Sequence, residues 1–285
     1  AAPTLLLTSR LGGDDASGLG EPSGTDCPHP RSVRVVQGDH AYALCPGWVM
    51  RRWLREDGDD MADIETFEPD GRAIPYAEDR RNGPSLVLVP GQGLNIGYLG
   101  PLAEALAEED FHVVRIGSRL PQSGAEPTMH DLAEDVIDVM DHLDLAFPWV
   151  GGHGFGGSVA RIASIDHPGR FGGLLLLGVE GTEDAAASAA SEVPENARKS
   201  ELVAMQRAAR AATPEVGPLE IPPGIPILII QGADDEVAAP ANGEALAARA
   251  PERISVVTIE GARDLFPLTH VGETAWPIED YLDWD

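Results

Sequence analysis

The chain has little of what would commit it to a disulfide scaffold, a membrane or a nucleic acid. Its 285 residues hold two cysteines, Cys27 and Cys45, and a single lysine, Lys199. Two cysteines cannot build a disulfide-dense framework. Aromatic side chains make up only 5%. No apolar run approaches the roughly 20 residues that cross a bilayer. The longest, Leu174-Leu175-Leu176-Leu177 and Ile227-Leu228-Ile229-Ile230, have the length of buried strands. Positive charge is scarce as well. Lys and Arg number 20 against 47 Asp and Glu, a net charge of -27. Such a surface repels phosphate backbones and anionic lipid, so neither nucleic acid nor a membrane is expected as a partner.

Cys27 and Cys45 flank an expected hairpin at 32–45, with strands Ser32–Val36 and Ala41–Leu44. The two ends of a hairpin can approach closely enough for a disulfide, and two free thiols fit equally. The compartment therefore stays open between cytoplasm and secretion. Ala1-Ala2-Pro3-Thr4 reads either as a start left by signal cleavage or as an arbitrary boundary. Cys27 with His29, and His40 with Cys45, lack the paired spacing of zinc ligands, so no metal is expected. No cofactor is implied.

Residues 1–60 read as an N-terminal extension and linker, rich in Gly, Asp, Pro and Ser, with Trp48 and Trp53 near its end. Residues 61–285 read as one domain. There, strand-like and helix-like segments alternate, which predicts an α/β architecture with a mostly parallel sheet. Ile64–Phe67 and Arg72–Tyr76 form an opening hairpin, and Ser85–Val89, Phe111–Ile116, Trp149–Gly152, Gly172–Leu177, Ile227–Ile230 and Ile254–Ile259 are strands. Residues 129–143 carry Met129, Leu132, Val136, Ile137, Met140 and Leu143 at three- and four-residue steps, which predicts an amphipathic helix. Residues 182–224 interrupt the alternation with a helical stretch, Ala197–Ala212.

One absence outweighs the others. Val150-Gly151-Gly152-His153-Gly154-Phe155-Gly156-Gly157 reads as a strand, a sharp turn and a helix start. The frame Gly152-His153-Gly154-Phe155-Gly156 is that of G-x-S-x-G with its serine replaced by glycine. Two further segments fall in order behind it: Gly232-Ala233-Asp234-Asp235, with Pro240 soon after, and Gly261-Ala262-Arg263-Asp264.

On these motifs residues 61–285 resemble α/β-hydrolases of the small bacterial esterase, lactonase and haloperoxidase-like type. The resemblance implies a mostly parallel central sheet with helices on both faces and a short helical cap at about 182–224. It puts Gly154 at the nucleophile position, Asp235 at the acid position with Asp234 as the one-residue alternative, and Asp264 at the histidine position. Two of three triad groups would then be missing, and glycine cannot form an acyl-enzyme. The resemblance further implies an oxyanion niche from the N–H groups of Phe155 and Gln92, beside Gly91 in the loop Pro90-Gly91-Gln92-Gly93. His153, before the elbow, is commonly a packed residue in such proteins and is carried as a candidate catalytic group with Asp235 and Asp264. Glu180 is placed near the pocket rim, in a structural role. His270 could replace the lost histidine only in a rebuilt loop; otherwise it starts a helix. His112 reads as a strand edge, His142 as a helix surface, His130 as a helix start and His167 as a helix end.

Three functions follow as expectations. The first is a non-hydrolytic cyclase, isomerase or lyase, in which Asp235 and Asp264 converge beside Gly154, one holding a proton. The second is a catalytically inactive relative that binds a small ligand or a protein; glycine at this position also occurs in neuroligin-like members. The third is a hydrolase with a rebuilt or engineered-out triad. A small-molecule ligand is the expected partner, and the oligomeric state is not legible.

Overall fold

In a computed structural model, the structure describes residues 63–121, 126–181, 198–214, 217 and 220–282, together with the backbone of 33–37 and 40–44. Cys27, Cys45, Trp48, Trp53 and residues 182–197 lie outside the described residues.

Ten strands form one sheet. They are β1 Val33–Gln37, β2 His40–Leu44, β3 Ile64–Phe67, β4 Ile74–Asp79, β5 Ser85–Val89, β6 His112–Ile116, β7 Trp149–His153, β8 Gly173–Leu177, β9 Ile227–Gly232 and β10 Ile254–Ile259. Their order is β2-β1-β10-β9-β8-β7-β5-β6-β4-β3. The six strands from β10 to β6 run parallel. Antiparallel hairpins close both edges: β3–β4 against β6 and β1–β2 against β10. The N-terminal hairpin thus extends the main sheet.

The parallel strands are apolar on both faces because helices cover both. Alternate residues serve opposite sides. Leu174, Leu176, Ile227 and Ile229 join one core with Val87, Val89 and Val150; Leu175, Leu177, Leu228 and Ile230 join the other with Leu86 and Leu88. On the first face lie α2 Met129–His142, α3 Phe155–Asp166, α4 Ser200–Ala211 and α5 Pro240–Ala247, contributing for example Val136, Val159, Leu202 and Leu246. On the second lie α1 Gly100–Glu108, α6 Phe266–Thr269 and α7 Val271–Leu282, contributing Leu102, Phe266 and Ile278. Thr128 and Asp131 form a reciprocal capping box that fixes the start of α2.

Among the described residues, the histidines outside the elbow have local partners. His112 begins β6, an interior strand rather than an edge, and pairs with Glu78. His142 stacks on Phe67, His130 bonds Asp166 beside the start of α2, and His167 ends α3 against Glu134. His270 lies between α6 and α7.

Candidate functional site

The site is built where β7 turns into α3. Gly154 sits at φ 50°, ψ -109°, a conformation that side chains rarely adopt. The helix start is pressed onto β5: a Cβ on Gly156 would fall 2.0 Å from the Val89 carbonyl oxygen. Glycine there lets the helix approach the sheet edge closely and throws the turn outward. The amides of Gln92 and Phe155 take no hydrogen-bond partner among the described residues. Phe155 opens α3, so its N–H lies at the positive end of the helix dipole.

A cavity of about 240 Å³ opens at this turn, lined by Gly154, Ser158, Arg161, Glu180, Arg210 and Thr213 with apolar neighbours such as Met129, Ile162 and Leu176. The nearest atoms to a Cβ at Gly154 would belong to Glu180, with Cγ and Oε1 each at 3.7 Å. The Glu180 carboxylate therefore stands beside the space a nucleophile side chain would enter. Its other oxygen, Oε2, accepts from Ser158 Oγ at 3.2 Å and from Arg210 Nη2. The Arg210 guanidinium also lies 5.3 Å over the Phe155 ring. Arg161, buried at mid-helix, donates to the carbonyls of Gly217 and Glu220. Burial pulls its guanidinium below the usual value, but an arginine stays cationic at neutral pH.

His153, Asp235 and Asp264 are brought together, but elsewhere. His153 points away from the cavity into a buried niche between Tyr98 and Phe266, with ring centroids 5.5 and 6.1 Å away. Its Nε2 is 3.5 Å from Asp264 Oδ1. That is an ion-pair contact longer than a well-formed hydrogen bond, and both ring nitrogens lack a hydrogen-bond partner. Asp235 Oδ1 accepts the N–H groups of Val237 and Ala238, both at 2.8 Å, while Oδ2 is buried and unpartnered. The Tyr98 hydroxyl is likewise buried without a partner.

Electrostatics within the niche follow from burial and mutual charge. Burial pushes the His153 imidazole down, but Asp264 first, then Asp235 and Glu180, more than offset this and leave it above its ordinary value. Burial pushes the Asp235 carboxyl up; the Ala238 N–H opposes this, and the Asp264 charge adds to it. Tyr98 is pushed well above its ordinary value by burial, then by the two aspartates.

The sequence placed the aspartates in one cavity beside Gly154. Among the described residues neither lines that cavity, and the carboxylate there is Glu180. Asp264 instead faces the His153 imidazole, which packs between Tyr98 and Phe266. Gly91, expected as part of a ligand site, makes room for that ring, since a Cβ there would fall 2.7 Å from Nδ1. Gln92 and Phe155 are not among the cavity's lining residues. Nor does any group of three or more His, Cys, Asp or Glu among the described residues offer a metal site.

Ser158, Arg161 and Arg210 were missed. Ser158 and Arg161 stand four and seven residues after Gly154, on the same face of one helix. Polar side chains at that spacing in the apolar run Phe155–Ile162 were a readable signal. Arg210 had none, because its role depends on how α4 lies over the turn.

Helix α4 is fastened to the loop bearing Gln92. Gly93 N donates to Gln206 Oε1 at 2.7 Å, Gln206 Nε2 donates to Ser118 Oγ at 2.8 Å, and Lys199 N donates to Gly93 O at 2.7 Å.

No family model matches the chain. It resembles solved structures over most of its length. An esterase from Thermogutta terrifontis, solved with malate bound, superposes with a TM-score of 0.60 and 21% identity, covering 78% of this chain and 98% of that one. The enol-lactonase from Burkholderia xenovorans LB400 gives 0.61 and 21%, over 77% and 100%. An epoxide hydrolase from Vigna radiata gives 0.60 and 14%, over 79% and 99%. Among curated proteins, the pimeloyl-[acyl-carrier protein] methyl ester esterase of Shewanella oneidensis is 33% identical over 103 residues, 36% of this chain and 37% of that protein. The counterpart in another Shewanella strain is 33% identical over 110 residues, or 40% of its length. The chain matches about two fifths of the length of these relatives.

Proposed function

From the α/β-hydrolase fold, which this chain has, we propose a small-molecule enzyme that works without a serine acyl-enzyme, by acid–base transfer through Glu180 in the cavity at Gly154. One observation carries the reading: Glu180 Oε1 faces the place of the missing nucleophile while Ser158 and Arg210 hold Oε2. A carboxylate so oriented can take a proton from water. The water oxygen bonds to the carbonyl carbon of an ester or lactone, and the carbonyl electron pair moves onto its oxygen. Gly154, which lines the cavity, caps the start of α3, and the positive end of that helix dipole favours the developing charge. Collapse breaks the carbon–alkoxide bond, and Glu180 returns its proton to the leaving oxygen. The esterase and lactonase names of similar proteins support water as the nucleophile.

The glycine at 154 favours a second reading, a non-hydrolytic isomerase, cyclase or lyase in which the same carboxylate removes a proton next to a carbonyl. Product analysis separates the two: acid plus alcohol for the first, an isomer, ring or elimination product for the second. The test is turnover of a panel of short esters and lactones, before and after Glu180→Gln. Turnover should fall by about 10²–10⁴-fold, the usual weight of one acid–base group. A serine-directed phosphonate should leave no adduct. Unchanged turnover in Glu180→Gln, or labelling at Ser158, would overturn the mechanism. Ligand binding with no product from any substrate would replace it with the binding-protein reading.

A further inference from the structure

The charge of the cavity runs against the charge of the molecule. Acidic residues exceed basic ones 47 to 20 over the whole chain. The described lining of the cavity at Gly154 reverses that ratio, with two arginines, Arg161 and Arg210, against one carboxylate, Glu180. In a protein whose general field repels anions, a cation surplus enclosed in a small cavity selects for a negatively charged guest.

The two arginines differ in what they have left to give. Arg161 spends Nη1 on backbone carbonyls and anchors the segment around 217 and 220. Arg210 makes one hydrogen bond among the described residues, from Nη2 to Glu180. A guanidinium carries five N–H donors in a planar fork, and no other described residue takes the remaining edge, which suits a bidentate acceptor. Its face rests over the Phe155 ring, which fixes the plane of the fork without consuming those donors. The side chain is partly exposed, at 37%, so it is reachable from the mouth of the cavity.

We infer that the molecule taken at Gly154 carries a carboxylate, and that Arg210 is the residue that binds it. This rests on the reading that the cavity at Gly154 is the working site. A carboxylate matches the fork with one negative charge. Phosphate would bring nearly two charges against the nearby Glu180 carboxylate and is the poorer fit. A volume of about 240 Å³ limits the guest to a compact acid with a short apolar part against Met129, Ile162 and Leu176. The arrangement has a mechanistic use: a guest carboxylate on the other edge of Arg210 leaves Nη2 on Glu180, so the acid–base carboxylate stays oriented while the guest is bound.

The test compares 4-oxopentanoate with its neutral methyl ester by titration calorimetry on the unaltered protein. The carboxylate should bind at least about tenfold more tightly, and its affinity should fall as salt rises. Arg210→Met should abolish that preference, and Arg210→Lys should restore only part of it, because an ammonium cannot make the bidentate contact. Equal binding of acid and ester by the unaltered protein overturns the assignment, whatever the variants do. Inorganic phosphate binding more tightly than the acid overturns the choice of carboxylate. Ser158→Phe, which fills the cavity, distinguishes the two levels of the claim. If acid and ester both still bind to that variant, provided it is folded by circular dichroism, the cavity is not the site and the functional reading fails with it. If Ser158→Phe blocks binding while acid and ester bind alike to the unaltered protein, the site stands and only the carboxylate assignment falls.

Discussion

The imidazole of His153 and the carboxylate of Asp264 face each other across 3.5 Å inside the protein, with side chains 4% and 14% exposed. A histidine and an acid remain in contact, but the acid occupies the position after the last strand where a base was expected, and the histidine sits one residue before the turn. The two side chains meet inside the protein, away from the cavity. Removing one partner of a buried pair leaves the other uncompensated, a cost of about 3–5 kcal/mol. The contact here is long and one partner is slightly exposed, so Asp264→Asn should lose about 3 kcal/mol at neutral pH. Chemical denaturation measures it. A loss below about 0.5 kcal/mol, the range of ordinary surface substitutions, would show that the pair carries no net weight.

The niche also sets a direction for pH dependence. His153 is raised above its ordinary 6.5, so the folded state holds its proton more tightly than the unfolded chain does. Its stabilising contribution is complete below pH 6.5 and is lost as pH rises through the folded-state value. Asp235 is also raised, from 3.8, by burial first. Its contribution is complete below 3.8 and is lost as pH rises through the folded-state value. Both groups therefore make stability fall with rising pH. Melting curves between about pH 6 and 9 should show a decline that His153→Gln flattens. An unchanged slope in that variant would assign the decline to other groups.

Gly154→Ser should fold but not create a serine hydrolase. The added Cβ meets nothing closer than 3.7 Å, so space is available. The cost is the left-handed backbone, about 1–3 kcal/mol for a residue other than glycine. The new hydroxyl would face Glu180, while both ring nitrogens of His153 are shut off from solvent. Without an imidazole to take its proton the serine has no strong base. The variant should melt at a lower temperature and form no adduct with a phosphonate. Stoichiometric labelling of the introduced hydroxyl would show that Glu180 can activate it.

The fold was legible because its signals are local and repeated. Strands such as Leu174–Leu177 announce themselves as short apolar runs, and the strand–turn–helix around Gly154 needs glycines wherever backbones touch. The helix read at 129–143 follows from its apolar spacing, and the structure ends it at His142. The partners of the site residues were not legible. Which side of the turn His153 occupies depends on the small Gly91 opposite it, and Glu180 reaches Gly154 only because the chain turns at Gly178, with φ 70°, just after β8. Arg210 acquires meaning from the docking of α4. Such relations join distant segments, and no periodicity within one segment reports them.

That docking is itself open to test through Gln206, which is 1% exposed. Its side-chain amide is used at both ends: the oxygen accepts Gly93 N–H, and the nitrogen donates to Ser118 Oγ. The loop that carries Gln92 is thereby tied to α4, and Lys199 N closes the same loop from the other side. Gln206→Met keeps the length of the side chain and removes both hydrogen bonds. The buried Gly93 N–H is then left unsatisfied, at a cost of about 1–3 kcal/mol. The loss should also be local. Hydrogen exchange at Gly93 should quicken while amides of the central strands β8 and β9 keep their protection, because the core beneath does not depend on α4. Turnover and affinity for the guest carboxylate should fall together, because Arg210 lies one turn beyond Gln206 on α4. If Gly93 exchange stays slow and stability is unchanged, Lys199 and the apolar contacts of Leu202 and Met205 hold α4 by themselves. Gln206 would then have no part in shaping the site.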